Sequence, residues 1–342
     1  MSRSPKVVVV TPVRNEAWIL SRFLSVTSHF ADHIIIADQE STDESISICQ
    51  RFPKVTLIHN KSNEYDEAAR QALLIQTARE LVPEHKIILA LDADEVLAAN
   101  ALDTPGWKQM FEARPGTILC FEKPELYLTT SRCIRYERPW PIGYVDDGVE
   151  HRPTKIHSIR IPTPQSSPKL HVADVKVLHY GLVRDGAQNS KQRMYCVIEH
   201  VLRASPFWRR RLAYRSGMDW STLGRLESSR PDWFEGWERL GIDMHTIPPQ
   251  VYHWQDYEVL RYFAKYGTRR FWVDDIWNFD WEKCRTYARS INVAGMPDAR
   301  ITSPPGIIKP PLALLDMCLI ALRAIYRALK RKLVPLSGVR DH

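Results

Sequence analysis

The chain is predicted to fold as an α/β protein: a mostly parallel central sheet with flanking helices, followed by a helical C-terminal extension. Two observations predict this. Short β-branched runs alternate without interruption with amphipathic helical stretches over roughly the first ninety residues, the pattern of parallel strands joined by right-handed crossovers in a doubly wound sheet. After residue 190 the strand signal fades and a tryptophan-rich helical pattern replaces it.

The elements follow in order. Residues 6–10, Lys6-Val7-Val8-Val9-Val10, read as the first strand, ending in Thr11-Pro12-Val13-Arg14-Asn15-Glu16. Ile19, Leu20, Phe23, Leu24 and Val26 then recur at mostly helical spacing. Residues 33–37 read as the second strand, stopping on Asp38, and Ser41-Thr42-Asp43-Glu44 supply capping residues for a short helix. Residues 55–58 give the third strand, 66–81 the third helix and 87–91 the fourth strand. The first strand is followed by no Gly-x-Gly-x-x-Gly and the chain contains no P-loop, which disfavours a dinucleotide-binding domain and an NTPase.

The fourth strand ends on Asp92-Ala93-Asp94-Glu95. A strand carries residues i and i+2 on one side, so an extended backbone would turn Asp92 and Asp94 toward one point just past its end. Hard divalent cations take oxygen ligands, and Mg²⁺ is typically bound by one or two carboxylates plus phosphate oxygens. Open α/β sheets bind ligands in the crevice at the carboxyl ends of their strands. The same two acids also suit a helix cap or a solvated turn, and this segment alone leaves both readings open.

Four segments together resemble the family 2 glycosyltransferases. Residues 8–16 look like that family's opening strand and turn, and 34–43 are similar to its second strand with an aspartate and a Ser-Thr-Asp cap. Asn63 and Arg70 resemble its Asn…Ala-Arg-Asn segment, with Tyr65 and Gln71 as departures, and Asp92-Ala93-Asp94 fits its Asp-x-Asp. The resemblance covers the first third of the chain. It implies a GT-A fold, a nucleotide-sugar donor, expected to be a UDP-sugar, and Mn²⁺ or Mg²⁺. Carried over by position, Thr11, Pro12, Val13 and Glu16 would line the nucleoside pocket, and Asp38 would accept from the base. Asn63 and Arg70 would lie near the base or diphosphate, Asp92 and Ala93 near the ribose, and Asp92 and Asp94 at the metal. His179, in His179-Tyr180-Gly181 after an apolar run at 175–178, is the expected extra metal ligand.

Direct displacement needs a carboxylate to take the proton of the acceptor hydroxyl. The acidic, turn-rich stretch 140–151 is the candidate acceptor loop, and Asp146, Asp147, Glu150 and Asp185 are the candidate bases, each also readable as a surface acid. Lys155 and Arg160, or Arg184 with Lys191 and Arg193, could hold the diphosphate.

Composition bounds the rest. A chain of 342 residues can bury one large core or two unequal units. Six scattered cysteines form no Cys-x-x-Cys pair, so neither a zinc site nor a disulfide framework is indicated. The apolar run at the N-terminus is too short for a signal peptide. The net charge of +7 suits an anionic membrane surface better than nucleic acid, because no nucleic-acid-binding motif accompanies it. Residues 312–333 read as an amphipathic helix with Arg323, Arg327, Lys330 and Arg331 on one face, too short in apolar length to span a bilayer and suited to a cytoplasmic membrane interface. The expected organisation is a catalytic core over 1–195, an aromatic-rich helical extension over 196–300, and a linker with the basic helix over 301–342. The expected function is inverting transfer of a sugar from a nucleoside diphosphate to a hydroxyl of a lipid-linked or surface-polysaccharide acceptor, at the inner face of the membrane. A nucleotide-sugar-binding scaffold without catalysis and a sugar-phosphate nucleotidyltransferase are the alternatives.

Overall fold

The structure, a computed structural model, describes residues 4–60, 66–136, 138–154, 158–215, 218 and 220–333. It divides into two compact units, residues 1–185 with 219–250 and residues 186–218 with 251–342.

The first unit opens with β1 (Lys6–Val13), α1 (Ala17–Thr27), β2 (His33–Asp38), α2 (Ser45–Cys49), β3 (Val55–His59), α3 (Glu67–Leu81) and β4 (Lys86–Ala90). β1 pairs in parallel with β2 and β4, and β2 with β3. The pleat sends alternate residues to opposite faces. Val7, Val9, Ile34, Ile36, Ile87 and Leu89 pack on one face with Leu20 and Phe23 of α1, while Val8, Val10, Ile35 and Ile88 pack on the other with Leu74 and Ile75 of α3. Burial on both faces explains why these strands read as continuous apolar runs. Asp66 caps α3 by accepting from the Ala69 amide at 2.9 Å.

The chain continues through β5 (Glu95–Leu97), α4 (Pro105–Glu112), β6 (Ile118–Glu122), β7 (Glu125–Tyr127), β8 (Thr129–Arg135), β9 (Trp140–Val145) and the long β10 (Lys169–Leu182). β9 inserts antiparallel between β4 and β6, with Gly143 beside Leu89 and Leu119. A Cβ on Gly143 would come within 2.8 Å of the Leu89 side chain, so the close approach of the three strands requires glycine there. The sheet runs β8-β7-β10-β6-β9-β4-β1-β2-β3, with β5 added on β10 and a last strand, β11 (Arg225–Ser228), beside β8.

In the second unit α5 (Ala187–Leu202) and α6 (Phe207–Ala213) come first. The chain then returns to the first unit for β11 (Arg225–Ser228), which pairs with β8, and α7 (Glu235–Arg239). Trp233, Phe234 and Trp237 join the sheet core, and the Trp237 indole donates to the Leu97 carbonyl at 2.7 Å. These units divide differently from the segments expected. Residue 195 falls inside α5, and 219–250 belong with the sheet because their aromatic side chains complete its core. The second unit is finished by α8 (Trp254–Tyr266), α9 (Trp281–Ser290) and α10 (Lys309–Leu333). Trp281 is buried in its core and Trp277 packs beside it: Phe263 stacks on Trp277 at 5.5 Å and meets the edge of Trp281 at 5.1 Å, while Trp208 is exposed. α10 is tied to α6 by the Arg211–Asp316 pair and leaves Leu314, Met317, Leu322 and Ile325 exposed. No described helix is long and apolar enough to cross a membrane.

Candidate active site

The carboxyl ends of β1, β2 and β4 lie together because the three strands are parallel and in register, Val13 beside Asp38 and Val10 beside Ala90. Beyond β4 the backbone does not stay extended. It turns at Asp92, whose carbonyl accepts from the Glu95 amide at 2.9 Å, and enters β5. Asp92 and Asp94 are therefore presented by a turn rather than by strand alternation. Between them, Ala93 sends its methyl group into the hydrophobic core.

Glu95 organises this turn. It is fully buried, accepts from the Asp92 amide at 3.0 Å and from both ends of the Arg160 guanidinium at 2.7 and 3.0 Å, and pairs with Lys123 at 3.0 Å. Burial alone would raise its pKa; Arg160 and Lys123 outweigh this and hold the carboxyl well below the usual range. Arg160 also pairs with Asp92 at 3.0 Å. Asp94 faces His179, 3.4 Å from Oδ2 to Nε2, and the other ring nitrogen of His179 lies 2.6 Å from Glu125. Burial would lower the imidazole pKa, but Glu125 and Asp94 together raise it to about 10. Gly181 permits the contact: a Cβ there would sit 2.8 Å from the His179 ring and 2.9 Å from Glu125.

Among the described residues no three His, Cys, Asp or Glu side chains form a ready-made metal cage. A Mg²⁺ or Mn²⁺ site does not require one, because substrate phosphates supply the remaining oxygens. Asp94 with His179, backed by Glu125 and flanked by Asp92, has the donor chemistry of such a site, including a carboxylate behind the histidine.

On the other side of β1, Asp38 is buried. Its Oδ2 accepts from the Ser41 amide at 3.1 Å, while Oδ1 and the hydroxyl of Thr11 are buried with no partner among the described residues. Arg70 reaches the same edge and donates to Gln39 at 2.6 Å. Asn15 binds the backbone amide of Thr42 at 2.7 Å and so ties the turn after β1 to the turn after β2. Glu16, just before α1, accepts from the Trp18 indole at 2.6 Å. Pro12 and Val13 sit in β1 opposite Ala37 and Asp38. Arg184 stacks on Trp18 at 4.0 Å, donates to Gln250, and has Glu16, Asp94 and Asp43 in its surroundings. Asp185 follows it and is exposed. Asn63 and Lys155 lie outside the described residues.

Asp146, Asp147 and Glu150 are not brought to this cluster. β9 runs antiparallel to β4, so its end, Val145, lies beside Ile87, and the Asp146 amide donates to the Lys86 carbonyl. The length of β4 and the residues after it, about 20 Å at about 3.3 Å per residue, separates these acids from Asp92. Asp146 is an ion-pair partner of Arg79 and Lys86, at 2.8 and 3.2 Å. Asp147 accepts from the Tyr144 hydroxyl at 2.7 Å, and Glu150 pairs with Arg152 in solvent. Arg79 donates to the Val149 carbonyl at one end of α3, Glu67 accepts from the Ser158 amide at the other, and Arg160 lies at the site.

Sequence reasoning missed Lys123 and Glu125 and the organising role of Glu95. The signal was present: Glu122-Lys123-Pro124-Glu125 directly follows an apolar strand, the position that singled out Asp92.

Residues 8–109 match the family model for glycosyl transferase family 2, so the resemblance read from the opening motifs stands over that span. No curated protein matches the chain. Among solved structures, a 4-diphosphocytidyl-2C-methyl-D-erythritol synthase aligns at 16% identity over 41% of this chain and 74% of that one, with a TM-score of 0.30. Glucosyl-3-phosphoglycerate synthase from Mycobacterium tuberculosis, solved with Mn²⁺, UDP and glucosyl-3-phosphoglycerate, aligns at 17% identity over 35% of this chain and 44% of that one, with a TM-score of 0.25.

Proposed function

We propose that the protein is an inverting, metal-dependent glycosyltransferase that uses a nucleoside diphosphate sugar, with UDP as the nucleotide. The observation that carries this reading is the meeting, at one edge of the sheet, of the Asp92–Asp94–His179 cluster with Asp38, whose buried Oδ1 has no partner among the described residues. Uracil offers an N–H donor that Asp38 Oδ1 lacks, and Arg70 stands beside it. Thr11, Pro12, Val13 and Glu16 line the same edge. A divalent cation held by Asp94, His179 and Asp92 would neutralise charge on the departing diphosphate.

The chain's own residues do the rest. Arg184 and Arg160 attract the diphosphate, and Asp92 lies on the ribose side. The acceptor hydroxyl attacks the anomeric carbon from the face opposite the leaving group, its proton passes to a carboxylate, and the C–O bond to the diphosphate breaks with inversion. Of the sequence candidates, Asp185 is our choice for that base, because it follows Arg184 in the loop beside Asp94.

The acceptor is proposed to be a hydroxyl of a lipid-linked or surface-polysaccharide glycan, presented at an anionic cytoplasmic membrane surface. The exposed Leu314, Met317, Leu322 and Ile325 of α10, with Arg323 on the same helix, support this placement. Leu322→Glu with Ile325→Glu should abolish co-sedimentation with phosphatidylserine vesicles without unfolding the protein; undiminished binding would overturn the membrane part.

Two measurements test the core reading. Calorimetry should detect UDP binding that requires Mn²⁺ and weakens by roughly tenfold or more in Asp38→Ala, the cost of an unpaired buried donor being about 1–3 kcal/mol. Slow Mn²⁺-dependent hydrolysis of UDP-sugars separates an enzyme from a binding scaffold. Binding indifferent to EDTA, or stronger for CDP than for UDP, would overturn the assignment.

A further inference from the structure

The loop expected to receive the acceptor splits in two. Its acids lie at the far end of the sheet, but its first residue, Trp140, starts β9 at the site end, opposite Phe121 of β6. The β4–β9 pairing ends at Leu89 beside Gly143, so Trp140, nearer the start of β9, lies toward the carboxyl end of β4, the end that leads into the Asp92 turn.

We propose that Trp140 is the platform on which a pyranose ring of the acceptor stacks, with Tyr136 and Lys123 as its fixed surroundings; this rests on the glycosyltransferase reading above. Three observations carry it. The residues that follow Trp140 along β9, Ile142 to Val145, are buried, whereas Trp140 is 41% exposed. Its indole is held rather than loose: the Lys123 ammonium lies 4.4 Å from the ring centroid, and the Tyr136 ring meets it nearly edge-on at 6.2 Å. The same ammonium pairs with Glu95 at 3.0 Å, so a single side chain joins the indole to the carboxylate that fixes Asp92.

The chemistry fits a sugar ring. A pyranose has a face of C–H groups and a rim of hydroxyls; an indole offers a large apolar surface, and the adjoining Lys123 offers a donor to the rim. The layout fits as well. Asp38 ends β2, the Asp94 turn follows β4, and Trp140 begins β9, in the sheet order β9-β4-β1-β2. Three strand spacings, about 14 Å at about 4.8 Å each, separate the nucleobase end from the indole. A nucleoside diphosphate laid across β2, β1 and β4 would bring its sugar toward β9, where an acceptor must approach. The function proposed above assigns the nucleobase to Asp38, so the indole is left for the acceptor.

The test uses full-length protein labelled with 5-fluorotryptophan, with the Trp140 resonance assigned by Trp140→Phe. Methyl β-D-glucopyranoside, methyl β-D-galactopyranoside and methyl α-D-mannopyranoside are titrated in the presence of UDP and Mn²⁺. The Trp140 resonance should move saturably with at least one of them while the other tryptophans stay still. Trp140→Ala should bind UDP with Mn²⁺ as the parent does. With a turnover acceptor in hand, it should raise KM for that acceptor severalfold, with Trp140→Phe in between. A Trp140 resonance unmoved by all three glycosides while UDP binds would overturn this proposal and leave the function standing. Failure of the parent to bind UDP at all would overturn the glycosyltransferase reading, and this proposal with it.

Discussion

Glu95 in the sheet unit and Asp274 in the helical unit are both buried carboxylates gripped by arginine, yet their surroundings differ. Asp274 takes the Arg210 guanidinium at 3.0 and 3.1 Å and faces His200; Arg210 is itself buried and donates its remaining fork to the Ser205 carbonyl. That cluster is closed. Glu95 takes Arg160 and Lys123, but the groups one step out from it, Asp92 at 38% and Asp94 at 22% side-chain exposure, face solvent. Both units accept the cost of desolvating charge. In the helical unit the charges answer one another and lock α5 and α6 to the segment after α8. In the sheet unit the buried pairs hold exposed acids in place, which is how a rigid site is supported from behind.

Breaking the open cluster at its tip should have the largest effect on activity and little on stability. Asp94→Asn keeps the shape and removes the charge that faces the metal. Mn²⁺-dependent UDP affinity should fall by more than about a hundredfold, beyond what loss of an outer partner costs. Calorimetry decides it, and equal affinity in the two proteins would remove the metal from this site.

Arg210→Met should do the reverse. Removing one partner of a sealed pair leaves Asp274 uncompensated and costs about 3–5 kcal/mol. The urea midpoint should drop while UDP affinity, measured below the transition, stays unchanged. Loss of binding without loss of stability would show that the closed cluster is not merely structural.

Glu125→Gln probes the seam between support and site. It withdraws the carboxylate behind His179, and metal affinity should weaken by about 10–100-fold with near-parental stability. In metal-free protein the His179 imidazole should also titrate well below its parental value of about 10, which NMR can follow.

The smallest effect concerns a half-buried histidine, one ring nitrogen of which has no hydrogen-bond partner among the described residues. His151 is pushed down to about 4 by burial and by nearby Arg79. Its folded pKa lies below the ordinary value of about 6.5, so the unfolded chain takes up the proton first as pH falls. Stability should therefore be unaffected above about pH 6.5 and decline from there through about pH 4, and His151→Gln should flatten that decline in urea titrations. An unchanged slope in the variant would mean that the histidine is not sealed from water.

How much of this was legible beforehand follows sequence separation. Asp92 and Asp38 announced themselves because each ends a continuous apolar run, and such runs mark strands buried on both faces. The expected third helix at 66–81 is α3, and the expected helix at 312–333 corresponds to α10. The three-residue strands β5 and β7 were not legible: each is too short to show a period, and both pair with β10, far along the chain. Asp147 and Glu150 were misplaced for the same reason. Their nearness to the site depended on which way β9 runs beside β4, and nothing within residues 140–151 carries that information.

Local physics was enough for the alternating elements, the parallel first half of the sheet and the acids at its strand ends, because periodicity, capping and β-branching act within a few residues. Long-range pairing chose the rest. The antiparallel insertion of β9 put Asp146 at the far end of β4, the Ser158–Glu67 bond at the start of α3 accompanies the placing of Arg160 on Asp92 and Glu95, and β10 set His179 between Asp94 and Glu125. Those contacts join residues tens of positions apart, so their energies depend on a register that exists only once the sheet has formed.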